Sequence, residues 1–497
     1  MAESPPELRH AWRRCRKSVA GSELLRNRHV GHSATREPQK PSEFPPARTS
    51  QRHPFMLRFE RGTLCIDAPD DVASRLPGVL WDPRSLAWRA PAHRAPEIVR
   101  ALPSSIARPW SEAAVPIRKP ELRPYQRDAL TAWLLADRRG VIVLPTGAGK
   151  TRTAIAAAAE VGGPTAILCP TRALVEQWVV ELRPYYDGLV GCFSDGVATL
   201  GPVTVLTFES AYRRMDAIGQ RFLLLIVDEV HHFETGARAE ALECSTAPFR
   251  LGLTATPPAV GSRVDELIGP TVHHVAMHEL VGGALSKFEL LTLHVALDAD
   301  ERARYESAYS EFAEARGAIL RSHPQLEWSV LVAALGRTEA GRRALRGYQR
   351  AVRIASLPGA KRRAVQRLVL ANRKDKALVF AASTDDAYRI GRDVLAPVIT
   401  ADTVRKERET ILALFRDGSI DVVVSARVLN EGIDVPDAAV AIVAGGTLGA
   451  RELRQRMGRV LRPSPGKETA MIYEVCTLGT IDERRANARR RKLDELG

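Results

Sequence analysis

A chain of 497 residues suggests three or four domains, and its 45% hydrophobic and 26% charged content is that of a soluble globular protein. No apolar run approaches the 18 residues of a membrane helix, and the N-terminus lacks the apolar core of a secretory signal. The net charge of +14, with 61 of 72 basic residues arginine, points to a polyanionic partner; six scattered cysteines without a C-x-x-C pair argue against zinc, iron–sulfur and disulfide frameworks and fit a reducing, cytoplasmic setting.

Taken in chain order, residues 1–52 are rich in Arg, Pro and Ser with no sustained apolar period, and are expected to form a disordered basic arm. From Phe55 the pattern changes. "FMLRFERGTLCI" alternates apolar and polar residues around Arg61-Gly62, a hairpin signal. "VLWDPRSLAWRAPAHRAPEIVRAL" adds short strands and a helix, giving a small α+β domain over 53–104, followed by the linker "VPIRKPELRP". Apolar strands are predicted at 141–144, 165–169, 203–207, 223–227 and 250–254, and again at 377–381, 421–425, 439–443 and 470–475, with helical patterns between most of them. This predicts two α/β blocks, 115–285 and 366–497, each a parallel sheet covered by helices. The intervening 286–365 reads as a helical insert, and the terminal "RRANARRRKLDELG" as a solvated basic helix.

The segment "VIVLPTGAGKT" (141–151) is a buried strand that breaks into a glycine-rich turn. It approximates the phosphate-binding G-x-x-x-x-G-K-[ST] pattern, with Leu144 where the first glycine would stand. Gly147 and Gly149 let the backbone curl so that successive N–H groups along the nucleotide-binding positions Thr146, Gly147, Ala148 and Gly149 point inward at a helix N-terminus, with Lys150 reaching the outer phosphates and Thr151 holding Mg²⁺. A second signal follows in "LLLIVDEVHHF", where Asp228 and Glu229 end the most apolar strand in the chain. Ligands of open α/β sheets bind at the carboxyl ends of strands. Asp228 is thus predicted to hold Mg²⁺ opposite Thr151, and Glu229 to polarise a water.

"DEVH" resembles the Walker B box of superfamily 2 helicases and translocases, and further motifs follow in that family's order over roughly 120–475. "LRPYQRDAL" resembles the Q-motif, which implies that Gln126 reads adenine. "LPTGAGKT" resembles motif I as this family writes it, without the first glycine. "CPTRALVEQW" is similar to motif Ia, "VLTFESA" to a strand-contacting motif, and "LGLTATP", with Thr254-Ala255-Thr256, to motif III. "ALVFAAS", "LNEGIDVPDA" and "QRMGRVLR" resemble motifs IV, V and VI. The resemblance implies two RecA-like P-loop domains. It places Glu431, Gly432 and Asp434 at ribose or the phosphate backbone, with Asp434 the better choice for ribose. It puts Arg459 and Arg462 at the γ-phosphate and Gln455 on the nucleotide or its water. Arg459 and Arg462, three apart on a predicted helix, share a face, and planar guanidinium groups suit a transferring phosphoryl group. His231 is read either as a link between motifs or as packing.

Within that superfamily, "WDPRSLAWRAPAHRAPEIVRAL" is similar to the small N-terminal domain of bacterial and archaeal XPB-type helicases, which makes Trp81, Trp88 and Arg89 candidate DNA contacts, with core packing the alternative for the two tryptophans. The insert falls where those proteins carry a thumb. The Arg-Glu-Asp element they usually carry after motif III is missing, with Arg263, Asp265 and Glu266 a loose substitute. The resemblance implies a monomeric, nucleoid-associated ATP hydrolase that unwinds or translocates on DNA in repair. The alternatives are a translocase subunit of a restriction or defence system, and an ATP-gated clamp that recruits a nuclease partner.

Overall fold

The computed structural model describes residues 55–103, 106–194, 197–234, 237–284, 286–426, 438–445 and 469–494. Among them, no helix is long and apolar enough to cross a membrane.

Four short strands, β1 (Met56–Glu60), β2 (Thr63–Asp67), β3 (Leu80–Asp82) and β4 (Ala87–Pro91), form an antiparallel sheet in the order β1-β2-β4-β3. Arg61 and Gly62 close the first hairpin with φ of 48° and 77°, the pair of positive values that a tight two-residue turn demands. Leu57, Leu64, Ile66 and Ala90 face the helix Ala95–Ala101 through Ile98, making a small separate core. This domain is fastened to the next one. A Cβ on Gly62 would stand 2.5 Å from Cys244 Sγ, the Arg94 guanidinium lies 3.3 Å from Glu266, and Thr246 Oγ1 donates to the Pro109 carbonyl at 3.0 Å.

The first α/β lobe is an eight-stranded sheet of β5 (Arg139–Val143), β6 (Thr165–Cys169), β7 (Val190–Ser194), β8 (Val197–Thr199), β9 (Val203–Thr207), β10 (Leu224–Asp228), β11 (Phe249–Thr254) and β12 (Thr271–His274). The spatial order is β12-β5-β11-β10-β6-β9-β7-β8, parallel except for β8. β6, β9 and β10 are buried along their whole length, which is why they read as continuous apolar runs and not as alternations. The order brings the ends of β5 and β10 to the same edge with only β11 between them.

The second lobe is an all-parallel sheet in the order β13-β18-β17-β14-β16-β15, from β13 (Lys287–Val295), β14 (Ala377–Ala381), β15 (Val398–Ile399), β16 (Val422–Ala426), β17 (Val440–Val443) and β18 (Thr469–Thr477). The expected helical insert 286–365 is corrected at both ends. Its first residues form the edge strand β13, whose one-sided exposure hides it in an alternating pattern, and helix Gly359–Ala371 packs on this second sheet. The helices that project are Ala299–Ser322, Trp328–Gly336 and Glu339–Ser356. They close on Phe312, Leu331, Leu335 and Ala344, and at Gly347 a Cβ would meet the Ala308 carbonyl at 2.5 Å, so the two long helices touch backbone to backbone.

The terminal helix Ile481–Asp494 is not merely solvated. Asp482, Ala486 and Arg489 recur at helical spacing on one buried face; Arg489 pairs with buried Glu474 at 2.7 Å and Asp482 with buried Lys361 at 2.7 Å. Burial of those charges is tolerable because each is paired.

Candidate active site and nucleic-acid cleft

The chain leaves β5 through Leu144, whose N–H donates to the Thr254 carbonyl at 3.0 Å, and then turns through Gly147 and Gly149 with φ of 87° and 79°. Gly149 caps the helix Lys150–Val161, and its missing side chain matters twice. Its backbone is left-handed, and a Cβ there would collide with Gln126 Nε2. Gln126 is buried beside this turn, accepting from Arg123 N–H at 2.9 Å and donating to the Ala148 carbonyl at 2.8 Å, where the Tyr125 hydroxyl also donates. In this structure both ends of its amide therefore hold backbone. Thr151 lies on the first helical turn with its side chain half-buried.

Asp228 is the last residue of β10, and Glu229 follows with φ of 51°, a left-handed conformation uncommon outside glycine that aims its side chain back toward the turn. The structure brings Lys150 and Glu229 together at 3.5 Å, with side chains only 11% and 13% exposed. Both oxygens of Asp228 are occupied: Trp178 Nε1 donates to Oδ2 and the Glu229 N–H to Oδ1, each at 3.0 Å. Burial, reinforced by the neighbouring Glu229 charge, pushes the Asp228 carboxyl up to about 6. Burial works in the same direction on Glu229, but Lys150, His231 and His232 outweigh it and hold that carboxyl below the usual range. Two adjacent acids are thereby driven apart, the arrangement that lets each take a different role.

His231 Nδ1 lies 3.2 Å from Thr254 Oγ1 and 3.4 Å from Glu229 Oε2, and Thr254 Oγ1 in turn donates to the Thr256 carbonyl at 3.0 Å. The acid pair and the β11 terminus are thus one bonded unit. Three buried polar atoms around it, Thr146 Oγ1, Glu229 Oε2 and Thr256 Oγ1, have no hydrogen-bond partner. Orphaned oxygens at a glycine turn with a lysine fit a phosphate-bearing ligand with its cation and water. No group of three or more metal-ligating side chains occurs among the described residues, and a cation shared with phosphates and waters needs none.

Along the same sheet edge lies a cleft of about 570 Å³ at the ends of β6, β7 and β9. Two helices, Arg172–Leu182 and Phe208–Ile218, begin there, capped by Thr171 and Thr207, whose hydroxyls accept from Leu174 and Ser210 N–H. Arg172, Arg213 and Arg214 line it. Helix N-termini and guanidinium groups together suit a phosphate backbone.

Elsewhere the candidates fare unequally. Trp81 is 44% exposed and meets Trp88 edge-on at 5.4 Å, whereas Trp88 Nε1 donates to Asp70 at 2.7 Å and Arg89 is bonded to Glu60, Thr63 and Ser85 within its own domain. Arg263 pairs with Glu243, Asp265 accepts from the Gly261 N–H at 2.6 Å, and Glu266 faces Arg94 and His93 of the small domain. Glu431, Gly432, Asp434, Gln455, Arg459 and Arg462 lie outside the described residues. Sequence reasoning missed the bond from Trp178 to Asp228 and the grip of Gln126 on the turn; spacing carries no signal of either, since both are contacts between distant segments.

Residues 57–107 match the family described as xeroderma pigmentosum group B helicase damage recognition domain, 119–259 the type III restriction enzyme res subunit, and 360–464 the helicase conserved C-terminal domain. The chain is 37% identical over 378 residues to the DNA 3'-5' translocase XPB2 of Sulfurisphaera tokodaii, covering 75% of this chain and 85% of that protein. It is 31% identical to the putative DNA 3'-5' helicase Rad25 of Halobacterium salinarum and 30% to the DNA 3'-5' helicase XPB of Mycobacterium tuberculosis, each over 76% of this chain. Those two are longer, and the match spans 58% and 64% of their lengths.

Proposed function

The chain belongs to the XPB-type helicases of superfamily 2, and on that premise we propose that it is a DNA-dependent ATP hydrolase that moves 3'-5' along DNA and opens it in repair. The observation that carries the reading is the single sheet edge on which Lys150, Asp228 and Glu229 converge beside a second, arginine-lined cleft. An XPB-like assignment is favoured over a restriction subunit because the small domain at 57–107 matches the XPB description.

The N–H groups of Thr146 to Thr151 and the Lys150 ammonium would cradle the β- and γ-phosphates; Thr151 and Asp228 would hold Mg²⁺, which when bound neutralises charge on the phosphates. An incoming γ-phosphate takes Lys150 away from Glu229, freeing an ionised carboxylate to orient a water and accept its proton. His231, 3.4 Å from Glu229 Oε2 and hydrogen-bonded to Thr254 Oγ1, would then transmit the state of Glu229 to Thr254. Arg459, with Arg462 beside it, would supply the guanidinium from the second lobe, with Gln455 on the nucleotide or its water and Asp434 on the ribose. Thr171, Arg172, Thr207 and Arg213 would bind strand phosphates, and Trp81, exposed on the small domain, offers a stacking surface.

The test is ATP turnover at fixed salt with single-stranded DNA, duplex, forked DNA and RNA, followed by strand displacement on the fork, with Lys150→Ala as the control. DNA should stimulate turnover in the parent protein and not in the variant. Turnover indifferent to DNA would overturn the assignment. Stimulation without displacement would keep the translocase and remove the helicase.

A further inference from the structure

Every buried indole N–H needs an acceptor, and a backbone carbonyl usually supplies it. Trp133 follows that pattern, donating to the Arg250 carbonyl at 3.0 Å. Trp178, equally buried, instead donates to Oδ2 of Asp228 at 3.0 Å. Since the other oxygen accepts the Glu229 N–H, the torsion of this carboxylate is fixed by one backbone group and one side chain. That side chain stands on helix Arg172–Leu182, whose cap Thr171 and first residue Arg172 line the arginine-rich cleft. Trp178 lies six residues beyond Arg172, about 9 Å along a helix, which is a stiff rod at that length. Val175, Trp178 and Leu182 seat its inner face in the core.

We propose that Trp178 is a positioning residue that couples occupancy of the cleft by a nucleic-acid strand to the cation affinity of Asp228. The inference rests on the reading of Asp228 as the protein's cation ligand. A strand phosphate drawn onto Thr171 and Arg172 shifts the helix along its axis, the indole moves with it, and the carboxylate turns toward the position where it faces the cation. The coupling is reciprocal by thermodynamic necessity: if DNA tightens cation binding by some factor, cation with nucleotide tightens DNA binding equally.

The experiment is Mn²⁺ binding followed by electron paramagnetic resonance in the presence of ADP, with and without a single-stranded oligonucleotide, beside fluorescence anisotropy of the labelled oligonucleotide with and without Mn²⁺·ADP. In the parent protein each ligand should tighten the other. Trp178→Phe, which keeps a ring and loses the donor, should weaken Mn²⁺ binding about tenfold, the low end for a partner that orients a metal ligand, and should abolish the mutual tightening while leaving metal-free DNA affinity unchanged. Val175→Ala should lower thermal stability and leave Mn²⁺ affinity alone. Asp228→Asn tests the underlying reading: if it retains Mn²⁺ binding, Asp228 is not the ligand. If Asp228→Asn loses the metal but Trp178→Phe binds it within twofold of the parent, or if Val175→Ala weakens it equally, the positioning role is wrong. Absence of mutual tightening in the parent protein refutes the coupling even if the Trp178 variant does not fold.

Discussion

Substituting Glu229 by Gln separates two jobs that the geometry loads on one carboxylate. Lys150 and Glu229 face each other at 3.5 Å, nearly buried, so an effective dielectric of about 20 is appropriate and their attraction is about 5 kcal/mol. A γ-phosphate must replace that attraction, and it must also approach the carboxylate's own negative charge. Much of the gross figure is returned when Lys150 meets phosphate, so a net gain near 1.4 kcal/mol is expected on removing the charge, a roughly tenfold tighter ATP complex. Hydrolysis should move the other way, falling on the order of 10² to 10⁴, because the amide cannot take a proton from water. Equilibrium titration with a fluorescent ATP analogue and single-turnover hydrolysis at saturating DNA read the two effects separately. Weaker nucleotide binding by Glu229→Gln would refute the competition for Lys150 and make Glu229 a binding residue.

Arg250→Met should destabilise the first lobe by at least about 1–3 kcal/mol, the cost of leaving a buried acceptor unsatisfied, since its fully buried guanidinium donates to the carbonyls of Leu242, Ser245, Ala247 and Leu267; thermal unfolding within about 1 kcal/mol of the parent would contradict this. His93 is buried between the small domain and Glu266, and burial holds its pKa below the usual value near 6.5. The undocked state therefore binds the extra proton, so docking is intact above about pH 6.5 and weakens as pH falls below it; the protection of amides across 240–247, taken as hydrogen exchange relative to the intrinsic rate at each pH, should fall on acidification, and His93→Phe should flatten that fall. Arg459→Ala should bind ATP and DNA near normally yet lose 10³ to 10⁵ in DNA-stimulated hydrolysis, with Arg459→Lys a poor rescue because a point charge lacks the planar fork; a loss below tenfold in single-turnover hydrolysis would remove the finger role.

The central strands were legible because burial on both faces writes itself as an uninterrupted apolar run, as in "LLLIVD" and "ALVFA". The strands that escaped, β7, β8, β12, β13 and β15, sit at or beside sheet edges, where alternating or short exposure leaves no such run. The meeting of Lys150 with Asp228 and Glu229 followed from a rule about strand ends and needed no tertiary knowledge. What Trp178, Gln126 and Arg250 touch did not follow, because each contact joins segments far apart in sequence. The terminal helix misled for a related reason: arginine on a helix reads as solvated until a buried Glu474 is found opposite Arg489.

The segment after motif III gains a different meaning from its contacts. In place of an Arg-Glu-Asp triplet stand Arg263, Asp265 and Glu266 on the short helix Arg263–Leu267. Arg263 is spent on Glu243 and Glu266, while Glu266 answers Arg94 and His93 from the small domain. Two carbonyls in this region, those of Leu242 and Leu267, are held by one guanidinium, Arg250, on the strand that ends in Thr254. Thr254 reaches His231, and His231 reaches Glu229. A continuous set of hydrogen bonds and ion pairs plus one strand thus joins the acid pair to the small domain, through residues that a DNA-opening wedge would otherwise have claimed. Surface ion pairs such as Arg94 with Glu266 contribute little stability alone, but here they fix the small domain's orientation on a lobe whose interior is rigid. Of the charged groups after motif III, Glu266 therefore serves the joint with the small domain, with Arg263 behind it through their ion pair, and the exposed aromatic that the small domain presents among the described residues is Trp81.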